Sequence, residues 1–399
     1  MAKPKILYLC HRIPYPPNKG DKIRSFNLLK ELAKTHDVYL GCFVDDPYDL
    51  QYVDKLSEFC VEYCSPALPK LWAKLKGLSA FLTGKPITLP YYHNQQLDRW
   101  VARILAEHQI ETVFVFSSSM AQYVDRPQYQ SLCRVIDFVD IDSDKWRQYA
   151  NKQQGVMRWI FQREHRLLQR YEQRYCEQFD HSLFVSPDEA MMFKTLMPAV
   201  LTPKIGALLN GVDVDFFNPN ALIANPEVTL DDDYIVFTGA MDYWANADAV
   251  IWFCDHVWPS IKAAKPSLQF MIVGGNPDPK VVALAERAGV IVTGRVHDVR
   301  PYIQHAQVVV APLQIARGIQ NKVLEAMSLN KPIVATAMAM EGINAPISLC
   351  LAQTDDPTEF AQHVLAMLSA PPSVTSRDWV IRHFTWQATL SPLPRLLCK

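Results

Sequence analysis

The sequence predicts an α/β protein made of two doubly wound parallel-sheet domains. Three observations carry that prediction. Short apolar runs alternate with helical segments along nearly the whole chain. The runs are continuously apolar, as strands covered on both faces are. The alternation also occurs twice, and Leu201–Pro219, rich in Pro, Gly and Asn, separates the two series. A chain of 399 residues suits two cores, of roughly 200 residues each by the usual size of a domain. Apolar residues make up 49% and charged residues 20%, which excludes a disordered, collagenous or coiled-coil chain.

In the first series Ile6–Cys10 reads as a buried strand and His11–Gly20 as a Pro/Gly loop. Residues 21–34 then read as a helix with Ile23, Phe26, Leu28, Leu29 and Leu32 on its apolar stripe. Val38–Phe43, Thr112–Phe116, Arg134–Asp137 and Ser182–Val185 read as further strands, and 156–178 as a long arginine-rich helix. Ser186-Pro-Asp-Glu189 is a capping box with Pro at the first helical position. The second series begins near 234. Its strands are Tyr234–Phe237, Gln269–Val273, Val290–Val292, Val308–Val310 and Ile333–Ala335, and its clearest helices cover 246–258 and 320–329.

Forty Lys/Arg against 41 Asp/Glu leave a net charge of -1. With no aromatic stacking platform either, nucleic acid is excluded as a partner. The charge is uneven. Residues 1–200 hold 26 basic and 23 acidic groups, and residues 201–399 hold 14 and 18. Lys145, Arg147, Lys152, Arg158, Arg163, Arg166, Arg170 and Arg174 crowd one stretch against Glu164 and Glu172. Leu68–Lys85 places Lys70, Lys74, Lys76 and Lys85 among Leu71, Trp72, Leu75, Leu78, Phe81 and Leu82. That pattern suits an interfacial helix on an anionic membrane, with Trp159 and Phe161 of the arginine-rich helix adding to it. It equally suits a solvated basic face over buried apolar side chains. No window approaches the roughly 20 apolar residues of a membrane span, and MAKPKILYLCHR has no signal-peptide core. Nine cysteines, an odd number without zinc spacing, read as reduced thiols. The expected location is therefore cytoplasmic, at most peripheral on the inner face of the cell membrane.

The strongest local signal is Ile315-Ala-Arg317-Gly318-Ile-Gln-Asn321-Lys322-Val-Leu-Glu325-Ala-Met327, after a strand ending near Pro312. A helix starting near Gln320 presents free N–H groups to an anion. Gly318 admits close backbone approach, and Arg317 and Lys322 add two cations. Glu325, three residues after Lys322, could hold a diol. Phosphate and diol together describe a nucleotide; an ordinary capped helix with a surface Lys–Glu pair is the other reading. Gly239, Gly274 and Gly275 also follow strands, where open α/β sheets bind ligands. There is no G-x-G-x-x-G and no P-loop, so neither a dinucleotide enzyme nor an NTPase is indicated.

Several strings together resemble the family-4 glycosyltransferases of the GT-B fold over nearly the whole chain. They are Asn210-Gly-Val-Asp213 with Phe217-x-Pro219, Phe237-Thr-Gly239 with Asn246 and Trp252-Phe253, and Ile272-Val-Gly274-Gly275. Thr293-Gly-Arg295-Val296, Asn321-Lys322-Val-Leu-Glu325-Ala-Met327 and Pro332-Ile-Val-Ala-Thr336 complete the set. His11-Arg-Ile-Pro-Tyr-Pro-Pro-Asn-Lys-Gly-Asp-Lys-Ile-Arg24 and Asp137-Phe-Val-Asp140-x-Asp142-Ser-x-Lys145-Trp146 look like a subgroup, the sugar transferases associated with bacterial exopolysaccharide/PEP-CTERM export loci.

The resemblance implies two Rossmann-like domains facing each other across a cleft. Residues 1–205 would bind the acceptor and 206–375 a nucleotide-sugar. Residues 376–399, with Trp379 and Trp386, would form a final helix crossing back to the first domain. The implied reaction is hexosyl transfer, with retention, from a nucleotide-diphosphate sugar to a saccharide or lipid-linked saccharide, without cofactor or metal. Glu325 would hold the ribose, backbone near Arg295 and Val296 the base, and Gly20 the donor phosphates. Gly239, Gly274, Gly275, Gly318 and Asn321 would complete the donor site. His11, Arg12, Lys19, Asp142 and Lys145 would meet the acceptor.

The chain departs from that family at three points. The family's two glutamates lie eight apart, yet Arg317 stands where Glu325 should have its partner. Ala240 and Ala245 or Asn246 stand where an Arg and a Lys usually meet the diphosphate, so Arg317 and Lys322 are expected to take over that charge. A family histidine is also missing, and its region reads Ser117-Ser-Ser119. Asp137, Asp140 and Asp142 lie nearby, and Asp140 is the expected group to position or deprotonate the acceptor hydroxyl. Loop and helix-capping carboxylates are the other account of those three. Two rival functions remain at this stage: a nucleotide-sugar epimerase of the same fold, and a non-catalytic saccharide-binding scaffold.

Overall fold

The computed structural model describes residues 3–151, 153–221, 233–316, 318–349, 351–369 and 375–397, with Lys70 and Leu82 described by backbone alone. The chain forms two compact units: Met1–Leu209 with Leu390–Lys399, and Asn210–Thr389. The divisions thus fall at 209/210 and 389/390, where the sequence reading had 205/206 and 375/376. Trp379 and Trp386 both lie in the second unit, and only the last ten residues return to the first.

The first unit holds a seven-stranded sheet in the order β3-β2-β1-β4-β5-β6-β7. Its strands are β1 (Lys5–Cys10), β2 (Asp37–Gly41), β3 (Glu62–Cys64), β4 (Thr112–Phe116), β5 (Cys133–Val139), β6 (His181–Phe184) and β7 (Ile205–Ala207). The second holds six in the order β10-β9-β8-β11-β12-β13. These are β8 (Tyr234–Thr238), β9 (Gln269–Val273), β10 (Val290–Gly294), β11 (Val308–Ala311), β12 (Ile333–Ala335) and β13 (Leu351–Gln353). Every pairing within both sheets is parallel. The central strands are fully buried, as their unbroken apolar runs require: Ile6 to Cys10, Val113 to Val115 and Ile235 to Phe237 expose nothing to solvent.

In each sheet the strand order reverses between two neighbours, β1 and β4 in one and β8 and β11 in the other. Chain leaving the carboxyl ends of those strands lines the crevice where doubly wound sheets take ligands.

Two local expectations need correction. In the helix Gly20–Thr35, Lys22 and Arg24 are buried while Ile23 is only half-buried. Ion pairs account for this: Lys22 Nζ lies 2.9 Å from Asp49 Oδ2, and Arg24 Nε 2.8 Å from Asp137 Oδ2. At Ser186 only half of the capping box forms. Ser186 Oγ accepts from Glu189 N at 3.1 Å, but the Glu189 carboxylate accepts from Ile141 N at 3.2 Å. No disulfide joins any two of the described cysteines.

Candidate active site

Just beyond the end of β1, His11 is half-buried. Its ring lies flat on Phe116 of β4 (centroids 5.7 Å apart, 6° between planes) and edge-on to Tyr92. Asp21, in the first turn of the Gly20–Thr35 helix, lies 3.3 Å from His11 Nε2 and accepts from Arg12 Nη1 at 2.8 Å. Burial opposes ionisation of Asp21, yet hydrogen bonds and charge from His11 and Arg12 outweigh it and hold the carboxyl well below its ordinary value. Arg12 Nε also lies 3.1 Å from Asp45. Arg12 is thus compensated by two carboxylates, a network formed around the first βα turn. Lys19 and Gly20 are exposed, and a Cβ at Gly20 would meet nothing within 4 Å, so space does not demand glycine there.

Beyond β4 and β5 the backbone is strained. Ser117 has φ +82° and Val139 φ +70°, the left-handed region that a β-branched residue rarely occupies. Ser117 Oγ and Ser119 Oγ are 3.0 Å apart, and Ser118 Oγ donates to Asp142 Oδ2 at 2.9 Å. Lys145 Nζ lies 2.9 Å from Asp140 and 3.6 Å from Asp142. Asp140, Asp142 and Lys145 therefore form one half-buried cluster. Asp137 does not join it: it is fully buried, bonded to Arg24, and its carboxyl is raised by burial. It is unavailable to an acceptor hydroxyl.

In the second unit the expected residues also gather at strand ends. A Cβ built on Gly274 would fall 1.7 Å from Gly239 O, so the two backbones touch where β8 and β9 end. A Cβ on Gly239 would fall 2.7 Å from Asn246 Nδ2. Both glycines are thus required by the chain's own packing. Asn246 Nδ2 donates to Ala240 O at 2.9 Å, and Asn246 Oδ1 accepts from Lys322 Nζ at 2.6 Å. The Lys322 ammonium also lies 4.6 Å from the centre of the Phe237 ring. This spot joins β8 to the helix Asn321–Ser328, and no sequence pattern pairs residues 76 apart. The cues in the sequence were that Asn246 accompanies Phe237-Thr-Gly239 and that it, or Ala245, stands where the family has a cation.

Burial draws the Lys322 ammonium down to about 8, with the charge of Glu325 acting the other way. Burial pushes the Glu325 carboxyl up to about 7 against the pull of Lys322. The Oδ1 atom of Asn321 is buried, with no hydrogen-bond partner among the described residues. Gly318 has φ +65°. Gly275 faces Arg295, whose side chain is 3.5 Å from the position of a Cβ, and Arg295 is exposed with Val296 half-buried beside it. Arg317 lies outside the described residues. Among the described residues no three His, Cys, Asp or Glu side chains gather as a metal site.

Two parallel-sheet Rossmann-like units of this kind make the GT-B fold, and solved GT-B structures match the chain end to end. Sucrose-phosphate synthase from Thermosynechococcus elongatus superposes with TM-score 0.69 at 15% identity, covering 99% of this chain and 98% of that one. A glycosyltransferase from Rickettsia africae gives 0.65 at 14%, covering 100% and 98%. Anabaena HepE in complex with UDP and glucose gives 0.61 at 13%, covering 98% and 99%. More particularly, residues 232–370, most of the second unit, match the family model described as "Glycosyl transferases group 1". No curated protein matches the sequence.

Proposed function

We propose that the protein is a retaining hexosyltransferase acting on a nucleoside-diphosphate sugar. The acceptor would be a hydroxyl of a lipid-linked or growing saccharide, in the synthesis of an exopolysaccharide or related glycan. One observation carries this reading. Gly239, Gly274, Asn246, Lys322 and Glu325 converge at the carboxyl edge of the second sheet, within the segment matched by the glycosyltransferase model.

In this reading Glu325 accepts from the ribose hydroxyls, and the Asn321 end of its helix meets the diphosphate. Lys322, with Arg317, balances the charge that grows as the anomeric C–O bond to the diphosphate breaks. The acceptor oxygen bonds to the same face of the anomeric carbon, and its proton leaves with the diphosphate. His11, Asp140, Asp142 and Lys145 orient the acceptor. No enzymic nucleophile is needed, so no side chain has to reach that carbon from the opposite face.

The test is thermal stabilisation of the purified protein by UDP, GDP, TDP, CMP and their sugars. A nucleotide held at 100 times its dissociation constant adds about 2.7 kcal/mol. One base is expected to stand out, and its sugars are then assayed with membrane extract. Folded protein that no nucleotide stabilises would remove the donor site and leave a scaffold. Sugar interconversion without acceptor would make the protein an epimerase.

A further inference from the structure

The apolar side chains of the helix Lys70–Leu78 are on its outside. Leu71, Trp72, Leu75 and Leu78 are 78%, 68%, 57% and 59% exposed, whereas Ala73 and Gly77 are buried, Gly77 against Ile87. They cover no core, which removes the reading of a basic face above buried leucines. The long helix Gly155–Gln178 adds Val156, Met157 and Trp159 from its first turns, all exposed.

The two segments are locked together although they are far apart in sequence. Trp159 stacks on Phe81 at 6.2 Å, and the Arg163 guanidinium lies 4.8 Å from the centre of the Phe81 ring. Arg163 Nη2 donates to Ala80 O at 2.8 Å and to Lys85 O at 3.1 Å. Glu164, fully buried, accepts from Ile87 N at 2.8 Å and from Thr88 N and Oγ at 3.2 Å. The result is one built surface rather than two loose helices.

Its charge is one-sided. No Asp or Glu occurs between Glu62 and Asp98, nor between Asp144 and Glu164. Glu164 itself is enclosed by the amides it caps. Lys74, Lys76, Lys85 and Arg158 are exposed around the apolar side chains. A groove of about 600 Å³ with Lys76 and Lys85 among its walls opens alongside; its walls also hold Arg174, paired with Asp125 at 2.9 Å. A second copy of the same face would bring cation against cation. An anionic surface with an apolar interior meets both halves of the pattern.

We propose that this face seats the protein on an anionic lipid leaflet. Trp72 and Trp159 lie at headgroup depth, Leu71, Leu75 and Leu78 enter the acyl boundary, and the lysines meet lipid phosphates. Among the described residues no helix is long and apolar enough to cross a membrane, so attachment is to one surface. The inference does not depend on the proposed reaction.

The full chain is sedimented with vesicles of phosphatidylcholine alone and of phosphatidylcholine mixed with phosphatidylglycerol. Binding to the mixed vesicles is expected to be about ten-fold tighter or more, and to weaken as salt rises. Trp72→Ser with Leu75→Ser should lose at least about ten-fold in affinity. Lys74→Gln and Lys76→Gln should each lose roughly five-fold. All four side chains changed are exposed, so unaltered unfolding temperatures will show that the fold is intact. Equal binding to neutral vesicles, or variants that bind like the wild type, would overturn the proposal. So would self-association that the Trp72/Leu75 variant abolishes, because the face would then belong to a second copy. Nucleotide stabilisation, measured on the same samples, reports the donor site separately.

Discussion

Replacing Glu325 by Gln should make the ligand-free protein more stable and worse at holding a nucleotide. Burial lifts this carboxyl from its ordinary 4.5 to about 7, so the folded chain binds its proton more tightly than the unfolded chain does. Stability therefore falls as pH rises from about 4.5 through about 7 and stays low above that. The ionisation cost above both values is about 3 kcal/mol, and by about pH 5 it has shrunk to under about 1 kcal/mol. Glutamine has no charge to bury. It also removes the attraction that supports the Lys322 ammonium, so the net gain is about 1–2 kcal/mol, or roughly 2–8 °C for a unit of this size. The assay is thermal unfolding of wild type and Glu325→Gln at about pH 8 and about pH 5, with and without the stabilising nucleotide. Glu325→Gln should unfold higher at the upper pH, match the wild type more closely at the lower, and bind the nucleotide at least about ten-fold more weakly. A variant that is less stable at the upper pH, or as well stabilised by nucleotide as the wild type, refutes the argument. In that case the carboxylate is not a partly enclosed charge kept for a ligand.

Other substitutions test separate links. Arg317→Ala should lower kcat by about 100-fold with a smaller effect on donor binding, as removal of a charge-stabilising donor does; unchanged turnover would show that Arg317 does not take over the charge of the missing family cations. Gly274→Ala drives a Cβ to 1.7 Å from Gly239 O, and should cost about 3 kcal/mol or more in denaturant unfolding. Asp137→Asn removes the buried carboxylate that accepts from Arg24 Nε and should cost about 3–5 kcal/mol, where a catalytic base alone would lower activity and spare stability.

The sheets were legible because strands covered on both faces must be apolar throughout. The ends of Thr112–Phe116, Gln269–Val273 and Ile333–Ala335 fall where the sequence places them. The strands β3, β7 and β13 escaped notice because Glu-Tyr-Cys, Ile-Gly-Ala and Leu-Ala-Gln are not runs of large apolar residues, whereas β12, equally short, leads with Ile-Val. The first helix was placed correctly, and Phe26, Leu28, Leu29 and Leu32 of its apolar stripe are buried, but the buried face is wider than that stripe. Lys22 and Arg24 turn inward to carboxylates 27 and 113 residues away, a pairing that hydrophobic spacing cannot report. The glycines were found at strand ends, but Gly274 is required first by the Gly239 carbonyl oxygen, and a Cβ on Gly239 would meet the Asn246 amide. Likewise Lys322 was read as a cation awaiting phosphate, while its ammonium is held by Asn246 over the Phe237 ring.

Asp137 shows how burial can make a carboxylate a support instead of a reagent. Its peptide oxygen accepts from Ser117 N at 2.8 Å, and its carboxylate from Val139 N at 3.0 Å and Arg24 Nε at 2.8 Å. Ser117 and Val139 are the residues at positive φ beside it, each costing on the order of 1–3 kcal/mol unless its surroundings hold it. The register of β5 against β6 shifts across the same two residues, Asp137 and Val139. One buried residue thus touches both distorted strand ends, Ser117 through its main-chain oxygen and Val139 through its carboxylate. From one end the chain runs on to Ser118 and Ser119, and from the other to Asp140 and Asp142, joined by the Ser118–Asp142 hydrogen bond. The chain entering the Asp140, Asp142 and Lys145 cluster is thus held by a residue that never meets solvent. Loss of Asp137 should therefore move acceptor KM through geometry, even in variants that still fold.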